Sequence, residues 1–447
     1  MRKKLLLIQP VVEAYRERPD ISFPTEPLAL EIIAGLTPAD WEIQVIDERL
    51  EALKTEDPEE ADLVGLTAYT STAPRAYEIA GTYKKRGIPV VMGGVHATVL
   101  PEEALDYVDT VVTGEAENIW GKVISDFEAR DMQRVYNGGN PDLTTMPKPR
   151  RDVIPSHYHY PGSAIQTGRG CPHNCDFCAV TGFNGFRRRK FPLEEALEEF
   201  EAIPQSVVAF LDDNLIGYSK KDIDYALGLF RGIIDRGIKK IWWTQTSFHI
   251  AQHEILKYAA KSGCRMVSIG IEAENPAALR EMNKKLNLKL VNNAQYEDLF
   301  ALMHEYGVAV DGGFIYGLDA DTPETLERRT DFIINSDLDI GRISPLTPLP
   351  GTRLFERMRK EGRLIHTNFP DDWELYDLQN IVFKPASMEP EELTEIVGES
   401  KKQVYSEAVI EEKFQRTRKN TDEVTAHMVK SFNLGYLRIA RILGIIN

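Results

Sequence analysis

Three of the four cysteines in the chain lie within eight residues, in the stretch GRGCPHNCDFCAV. Thiolates are the protein ligands that soft metals and iron–sulfur clusters prefer. A cubane cluster has four irons, so Cys171, Cys175 and Cys178 would leave one iron without a protein ligand. An open coordination position distinguishes catalytic metals from structural ones. The spacing therefore predicts a catalytic iron–sulfur cluster.

A structural zinc site is the alternative for the same cysteines. His173 or His157 could complete a Cys₃His set. Structural zinc sites usually take pairs of close ligands separated by a longer spacer, whereas these three cysteines share one loop. The spacing therefore favours the cluster over zinc.

Length, charge and hydropathy narrow the class of protein. A chain of 447 residues is too long for one core, so two or three domains are expected. Its 53 basic and 69 acidic residues give a net charge of −16, which disfavours nucleic acid as a partner. The basic run 187–190 is read either as a solvated loop or as an anion contact. No apolar run approaches the roughly 20 residues of a membrane helix, and the clustered cysteines indicate a reducing, cytoplasmic location.

The first part of the chain alternates apolar strands with helical segments, which predicts a doubly wound parallel sheet. Stretches such as KKLLLIQPV, WEIQVIDE and IPVVMGGVHATV are predicted strands. Ligands bind such sheets at the carboxyl ends of the strands. Small or hydroxylated residues stand at those ends here, namely Thr70, Ser71, Thr72, Gly93, Gly94 and Gly114, followed by Glu115.

A second series of strands and helices follows a segment rich in Gly, Pro and polar residues. Six strand–helix units without hairpin signals predict an open parallel barrel, whose functional residues sit at the carboxyl ends of the strands. The end of the chain is helical. The predicted divisions are a Rossmann-like domain at 1–135, a linker at 136–155, a partial (β/α)₆ barrel at 156–384 and a small helical domain at 385–447.

The cysteine motif resembles a known family. CPHNCDFC is similar to the Cys-x₃-Cys-x-aromatic-Cys signature of radical S-adenosylmethionine (SAM) enzymes, and AVTGFNGFRRRKFPLEEALEE resembles their subgroup with an N-terminal cobalamin-binding domain. The resemblance covers nearly the whole chain. It implies three cofactors: a [4Fe–4S] cluster on the three cysteines, SAM on the unique iron, and cobalamin in the N-terminal domain.

The resemblance also implies SAM contacts at the ends of the barrel strands. The aromatic side chain between the second and third cysteines would lie along the adenine. The acidic pair and amide of FLDDN are candidates for the methionine amine, because an ammonium group needs acceptors. The remaining positions follow the third, fourth and fifth strands. In chain order these residues are Phe177, Asp212, Asp213, Asn214, Gln245, Glu272, Gly313 and Gly317.

By the same likeness, three loops of the N-terminal domain line the corrinoid or its nucleotide tail. The family's Asp-x-His-x-x-Gly cobalt-ligand motif is absent, so His96 is not assigned as an axial ligand and is expected to touch the corrin edge or pack locally. The implied contacts are Tyr69, Thr70, Ser71, Thr72, Gly93, Gly94, His96, Thr98, Gly114 and Glu115.

The function implied by the resemblance is a cobalamin-dependent radical SAM C-methyltransferase. A methyl group would pass from SAM through methylcobalamin to an unactivated carbon. A protein side chain, such as a glutamine of methyl-coenzyme M reductase, is the first expectation for the substrate, and a hopanoid lipid or other small molecule the second. A cyclase or rearrangement enzyme with the same cofactors is the runner-up, and a cobalamin- or zinc-binding module without activity is the non-enzymatic alternative.

Two further expectations concern electrons and thiols. Reductive cleavage of SAM implies an electron donor such as ferredoxin or flavodoxin. A methylcysteine mechanism would need two thiols beyond the triad, and only Cys264 remains. Its apolar surroundings predict a small buried side chain.

Overall fold

Two six-stranded sheets, both entirely parallel, organise the chain. The computed structural model describes residues 2–18, 25–292 and 295–446. The first sheet contains β1 (Lys4–Gln9), β2 (Glu42–Asp47), β3 (Leu63–Thr67), β4 (Val90–Gly93), β5 (Thr110–Gly114) and β6 (Val135–Gly139). Their order is β2-β1-β3-β4-β5-β6, which is the predicted Rossmann-like arrangement.

Helices cover both faces of the first sheet, and the strands are accordingly apolar on both faces. In β1 the run Leu5–Ile8 is buried, as expected for a central parallel strand. One hydrophobic cluster includes side chains of the second helix, another side chains of the first and fifth. The helices are α1 (Leu28–Leu36), α2 (Ala73–Lys85), α3 (Gly94–Val99), α4 (Pro101–Tyr107) and α5 (Trp120–Ala129).

Two local predictions in this domain are corrected. The predicted linker 136–155 begins within β6, which pairs with β5 and so belongs to the first sheet. The stretch IPVVMGGVHATV is a strand only as far as Gly93, because the chain turns at Gly94 into α3. Gly94 has φ +92°, and a Cβ there would lie 2.7 Å from the Oγ1 of Thr67, so the turn requires glycine.

The second sheet is the predicted six-stranded barrel wall. Its order is β14-β13-β12-β11-β10-β7, with β14 and β7 as its edges, so the barrel is partial. A short antiparallel hairpin, β8–β9, lies outside it. The strands are β7 (Ser163–Ile165), β8 (Gly168–Arg169), β9 (Arg189–Lys190), β10 (Val207–Phe210), β11 (Ile241–Thr246), β12 (Cys264–Glu272), β13 (Ala309–Tyr316) and β14 (Ile340–Pro345).

The barrel helices begin at recognisable caps. Ser219 and Asp222 form a capping box at one helix and Thr322 and Thr325 at another. The helices of this region are α6 (Val180–Phe183), α7 (Leu193–Ala202), α8 (Lys220–Asp235), α9 (His253–Lys261), α10 (Pro276–Glu281), α11 (Lys285–Asn292), α12 (Tyr296–Glu305), α13 (Pro323–Asn335) and α14 (Arg353–Lys360).

Three C-terminal helices complete the chain: α15 (Pro390–Val404), α16 (Glu407–Asn420) and α17 (Glu423–Ile442). Val429 of α17 packs with Met266, Ala309 and Ile340 near the amino ends of three barrel strands. α16, whose Lys413 Nζ donates to the Leu338 carbonyl (2.6 Å), and α17 therefore lie at the end of the barrel opposite to the one where the cysteine loop emerges. In the described ranges, no helix has the length and apolar character needed to cross a membrane.

Candidate active site

The cysteine loop runs from β8 to α6 at the carboxyl end of the barrel sheet. Two backbone hydrogen bonds hold its conformation. Cys171 N donates to the carbonyl of Gly185, just after α6 (3.3 Å), and Cys178 N donates to the carbonyl of Cys175 (3.3 Å). Gly170 has φ +88°, and a Cβ there would lie 2.5 Å from the carbonyl oxygen of Arg187. The turn before the first cysteine therefore requires glycine.

The three thiols of the loop are at least partly removed from water. Cys175 is buried, and Cys171 and Cys178 are half-buried. Burial raises the pKa of all three thiols, and that of Cys178 to about 11. Because a metal binds the thiolate, loading this loop has to release protons to the solvent.

Among the residues that the structure describes, no three His, Cys, Asp or Glu side chains converge so as to hold one metal ion. Three soft ligands from one loop, each free to take a different iron, fit the donor set of an iron–sulfur cluster.

The three polar residues that follow β10 are bound to protein groups. Asp212 accepts from the N (2.8 Å) and Oγ1 (2.9 Å) of Thr167, and Asn214 Oδ1 accepts from Gly217 N and Thr246 Oγ1. Both side chains are buried. Asp212 and Asn214 therefore hold Thr167, after β7, and Thr246, in β11, and their contact with a methionine amine stays a prediction.

Asp213 has a different position from its neighbours. Its Oδ2 accepts from Gly170 N (2.7 Å) and from Asn184 Nδ2 (2.9 Å), so it braces both ends of the cysteine loop. Burial raises the pKa of its carboxyl group. Asp213 is the member of the predicted trio that also borders the large cavity described below.

Glu272 ends β12 in a strained conformation beside the cysteines. Its φ is +68°, uncommon for a residue with a side chain, and the β12–β13 register shifts there. Its Oε1 accepts from Lys284 Nζ at 2.7 Å. Lys284 Nζ lies 5.9 Å from the ring centroid of Phe177. A carboxylate, an ammonium group and an aromatic ring thus meet at the mouth of the barrel.

The other predicted strand-end residues differ in how open they are. Gln245 is exposed at the end of β11. A Cβ on Gly313 would lie 3.6 Å from Arg342 Nη2, which is an ordinary van der Waals contact. Gly317, with φ +96°, faces Leu393 and Phe383, and its N donates to Asp321. The requirement for glycine at 317 comes from the turn and from packing against α15.

A cavity of about 810 Å³ lies where the carboxyl ends of the two sheets face each other. The first sheet contributes Gly65, Gly93 and Gly114, and the barrel side contributes α6 and Asp213. Of the predicted cobalamin contacts, seven line this cavity: Tyr69, Thr70, Ser71, Gly93, Gly94, Gly114 and Glu115.

The wall formed by the first sheet has the character of a cradle for a large ligand. A Cβ on Gly93 would meet nothing closer than the Val112 carbonyl oxygen at 3.8 Å, so a side chain there would occupy the cavity itself. Tyr69 is 67% exposed and stands open in the cavity. Small residues and an open aromatic side chain fit a broad organic cofactor.

Thr72, His96 and Thr98 are not among the described residues that line the cavity, and each is bound to other protein groups, so His96 packs locally. Thr72 Oγ1 accepts from Tyr69 N. Thr98 Oγ1 donates to the Gly94 carbonyl and accepts from Gly114 N, tying two cavity loops together. The fully buried His96 pairs through Nε2 with the side chains of Tyr77 (3.0 Å) and Glu103 (3.1 Å).

Glu115 joins the two halves of the site. Its carboxylate accepts from Arg169 and from Arg189, the two arginines of the β8–β9 hairpin. Arg169 Nη2 also donates to Glu117 Oε1 at 2.6 Å. The side chains of Glu115, Glu117 and Arg169 are all buried. The hairpin that carries the cysteine loop is therefore attached to the end of β5 by buried ion pairs.

This network also changes the interpretation of the basic run 187–190. Arg188 pairs with Asp222 (2.9 Å), Arg189 with Glu115, and Lys190 lies 3.9 Å from Asp212. Arg187 is the exposed member. The run is mostly an internal ion-pair element, so neither of its two predicted interpretations describes all of it.

Comparison with known proteins gives the family. The B12 binding domain family matches residues 20–123, and the radical SAM superfamily matches residues 165–333. Bacteriochlorophyllide d C-12(1)-methyltransferase of Chlorobaculum tepidum is 31% identical over 93% of this chain and 90% of its own. The chain belongs to the cobalamin-dependent radical SAM methyltransferases. It is an enzyme of that family, whose cofactors are cobalamin, a [4Fe–4S] cluster and SAM.

A more distant relative agrees with this membership, and two solved structures share the fold. The hopanoid C-2 methylase of Rhodopseudomonas palustris is 28% identical over 78% of this chain and 67% of its own. The radical SAM methyltransferase TsrM from Kitasatospora setae shares the fold, with a TM-score of 0.66 at 17% identity, over 90% of this chain and 88% of that one. OxsB, a cobalamin-dependent SAM radical enzyme, gives 0.70 at 14% identity over 98% and 72%.

Several residues at the candidate site were not predicted from the sequence. Lys284 lies in the run NKKLNLK, where nothing distinguishes it from a surface lysine. Arg49 borders the cavity and is held by Asp47 through Nε (2.9 Å), but its position depends on a loop. The segment Tyr376–Leu378, after the last barrel strand, also borders the cavity. Cys264 is fully buried, as predicted.

Proposed function

We propose that this enzyme transfers a methyl group from SAM, through methylcobalamin, to an unactivated carbon of a small, largely apolar molecule. The observation that carries the proposal is that one cavity borders both proposed cofactor sites. The first sheet lines one side of it, and α6, at the end of the cysteine loop, and Asp213, which binds Gly170 before the first cysteine, line another. Radical generation and methyl donation require their reacting groups to be close together, and a shared cavity provides that proximity.

The cysteine side of the site would hold the cluster and SAM. Cys171, Cys175 and Cys178 are the proposed cluster ligands. When bound, the cluster and SAM supply the radical that removes hydrogen from the substrate, and cobalamin supplies the methyl group. Lys284 is suited to the carboxylate of SAM and Glu272 to its ammonium group, because each presents the opposite charge.

Asp213 combines two proposed roles. Its hydrogen bond to Gly170 holds the turn before the first cysteine, and its border on the cavity makes it a further acceptor for a cationic ligand. Phe177 remains the proposed adenine neighbour, with Gln245 and Gly313 as ribose and adenine contacts. Gly317 is proposed to shape the same strand end through its turn.

The first sheet would cradle cobalamin. Tyr69, Thr70 and Ser71 form one edge, and Gly93, Gly94 and Gly114 form the floor of the proposed cradle. Glu115 is excluded from direct recognition by its two arginine partners, so its proposed role is to position the cradle against the cysteine loop.

The substrate proposal follows the cavity and the relatives. Three leucines that lie outside the first sheet add apolar surface to the cavity lining, namely Leu211, Leu349 and Leu378. Relatives named for their substrates act on bacteriochlorophyllide d and on a hopanoid. The relatives therefore support a tetrapyrrole or a polycyclic lipid as the substrate. They give no support to the first expectation, a glutamine of methyl-coenzyme M reductase.

The test uses the full chain, purified anaerobically and loaded with iron, sulfide and cobalamin. It is incubated with methyl-labelled SAM, a reductant, and either bacteriochlorophyllide d or a hopanoid. A product heavier by one labelled methyl group supports the proposal. Radical formation with a product that gained no methyl group from SAM would contradict it.

That second result would favour the cyclase or rearrangement alternative. The alternative has one observation in its favour: the anaerobic magnesium-protoporphyrin IX monomethyl ester cyclase of Cereibacter sphaeroides is 26% identical over 77% of this chain. The same incubation separates the two reactions, because the label stays in unreacted SAM and its methionine if no methyl transfer occurs.

A further inference from the structure

One side of the cysteine loop leads to solvent through three aromatic rings that the proposed methyl transfer does not use. His173, between the first two cysteines, stacks against His249, with ring centroids 6.1 Å apart and planes 16° apart. Tyr218 lies 6.3 Å from His173 and 6.2 Å from His249. Tyr218 is 54% exposed, so the ring cluster connects the loop with the surface.

Other sides of the loop are occupied by protein or by the proposed cofactor sites. The α6 side borders the cavity, and the Phe177 side meets Lys284. At a further corner, Arg353 of α14 binds Asp176 (2.6 Å) and Asn174 (2.6 Å). The His173 side is therefore a route to the surface that lies apart from the cavity and from the barrel mouth.

Exposed cations lie on two segments near Tyr218, which Arg188 joins by donating to the Leu215 carbonyl (2.9 Å). Lys220 and Lys221 at the start of α8, and Arg187 beside the loop, are exposed. Within the described parts of the chain none of these three forms an ion pair, although the chain has a net charge of −16. The arginines of α14 differ, because Arg353, Arg357 and Arg359 each pair with a carboxylate.

We propose that this surface, the Tyr218 patch (Arg187, Tyr218, Lys220 and Lys221), docks a small acidic electron-carrier protein. The carrier would lose one electron and the cluster would gain it, with no bond or proton transferred in that step. Two observations select this partner. The patch is basic on an acidic chain, and its ring cluster ends beside two of the proposed cluster ligands.

The physical basis is electrostatic steering with an aromatic anchor. A basic patch attracts an acidic partner and accelerates association by about 10-fold to 1,000-fold at low ionic strength. An exposed tyrosine at the centre of such a patch is a frequent source of binding energy. Without the patch, the −16 charge would repel an acidic carrier.

The inference rests on the proposed function, since it needs a loaded cluster. The test follows cluster reduction by its visible absorption and by its electron paramagnetic resonance, with no substrate and no turnover. An acidic ferredoxin, reduced photochemically, is the probe. We expect the second-order rate constant to fall at least about 10-fold in K220E/K221E, and the loss to shrink at high salt.

Three variants make the result specific. K239E/K261E changes the charge equally at exposed lysines near the amino ends of β11 and β12, and it should reduce as the natural chain does. Tyr218→Ala should slow the ferredoxin reaction and Tyr218→Phe should restore it. Reduction of every variant by a neutral photoreduced deazaflavin should stay within about twofold, because a neutral reductant is not steered.

The outcomes separate this inference from the proposed function. A protein that binds no iron–sulfur cluster contradicts the proposed function itself. A loaded protein whose ferredoxin reaction is unchanged in K220E/K221E overturns the docking surface and leaves the proposed function standing. If R359E/K360E no longer reacts with ferredoxin while K220E/K221E reacts as the natural chain does, the carrier docks on α14. That result would also overturn the proposal.

Discussion

The two walls of the central cavity are built by opposite means. The wall of the first sheet consists of glycines and hydroxylated residues, and its open tyrosine, Tyr69, is 67% exposed. The cysteine-loop wall is joined by buried charges, with Arg169 and Arg189 gripping Glu115. The first wall leaves room for a large ligand, whereas the second fixes the relative position of two domains. The comparison indicates that cobalamin recognition and cysteine-loop positioning are separable properties.

The strongest test of that separation replaces the three cysteines of the loop. In C171A/C175A/C178A we expect bound iron to fall to background, because no soft ligands remain in the loop. Cobalamin affinity should stay within about twofold, since none of the three cysteines is among the described residues that line the cavity. Iron analysis and cobalamin titration measure both.

The control for the triple variant is Cys264→Ala, which alters a thiol that is buried away from the loop. It should keep its iron. Equal loss of iron and cobalamin in the triple variant would mean that the walls are one cooperative unit and that the comparison is mistaken.

The second test breaks the joint between the walls. Glu115→Gln leaves two arginines beside a neutral amide in a buried site, and breaking such a pair costs about 3–5 kcal/mol. The free energy of unfolding, measured with urea, should fall by that amount. Glu254→Gln, in an exposed pair with Arg231, should change it by less than about 1 kcal/mol. Similar losses in both variants would contradict the assigned role of Glu115.

A second joint between the domains predicts a pH dependence. Arg151 lies between the carboxylates of Glu26 (3.1 Å), Glu31 (3.3 Å) and Glu199 (3.0 Å). The pKa of Glu31 is raised to about 7, mainly by burial; Arg151 opposes the rise, and the carboxylates of Glu26 and Glu199 add to it. The folded state therefore holds a proton that the unfolded chain has lost above its ordinary pKa of 4.5.

Because the folded state binds the extra proton, stability should fall as the pH rises through the window from about 4.5 to about 7. The loss is at most about 3 kcal/mol. Glu31→Gln should flatten this pH slope in urea unfolding at several pH values. Glu198→Gln, on the exposed face of α7, should keep it. An unchanged slope in Glu31→Gln would show that Glu31 ionises normally in the folded state.

The smallest expected effect concerns the cradle wall alone. Gly93→Leu places a side chain in the cavity, and overpacking of about 1–3 kcal/mol corresponds to roughly 10-fold to 100-fold weaker cobalamin binding. Iron content should not change. Gly81→Leu, on α2, is the matched control, because a Cβ there meets nothing within 4 Å. Full cobalamin affinity in Gly93→Leu would show that cobalamin does not bind against the first sheet at Gly93.

The sequence predicted the family features because they are local. Three cysteines in one loop and alternating strands and helices need no tertiary partner to be recognised, and the parallel order of both sheets followed from the alternation. Strand-end positions such as Gly93 were also predictable, since the carboxyl ends of parallel strands converge.

The hydrogen-bond partners of individual side chains were decided by the tertiary structure. Asp212 is adjacent to Asp213 in sequence, yet Thr167 takes both oxygens of Asp212, and Asp213 borders the cavity. His96 lies two residues after Gly94, but its ring is buried against Glu103. Such roles depend on which partner neutralises or hydrogen-bonds a group, and the partner is set by packing.

What the sequence determined by itself is therefore the chemistry: a loop of three soft ligands, a cofactor-binding sheet and a barrel. What the tertiary structure decided is the assembly. Glu115 meets Arg169 across 54 positions and joins the sheet to the cysteine loop. Local sequence patterns reveal secondary-structure propensity and the spacing of ligands. A buried ion pair forms only where two segments that are distant in sequence pack together and exclude water from both charges.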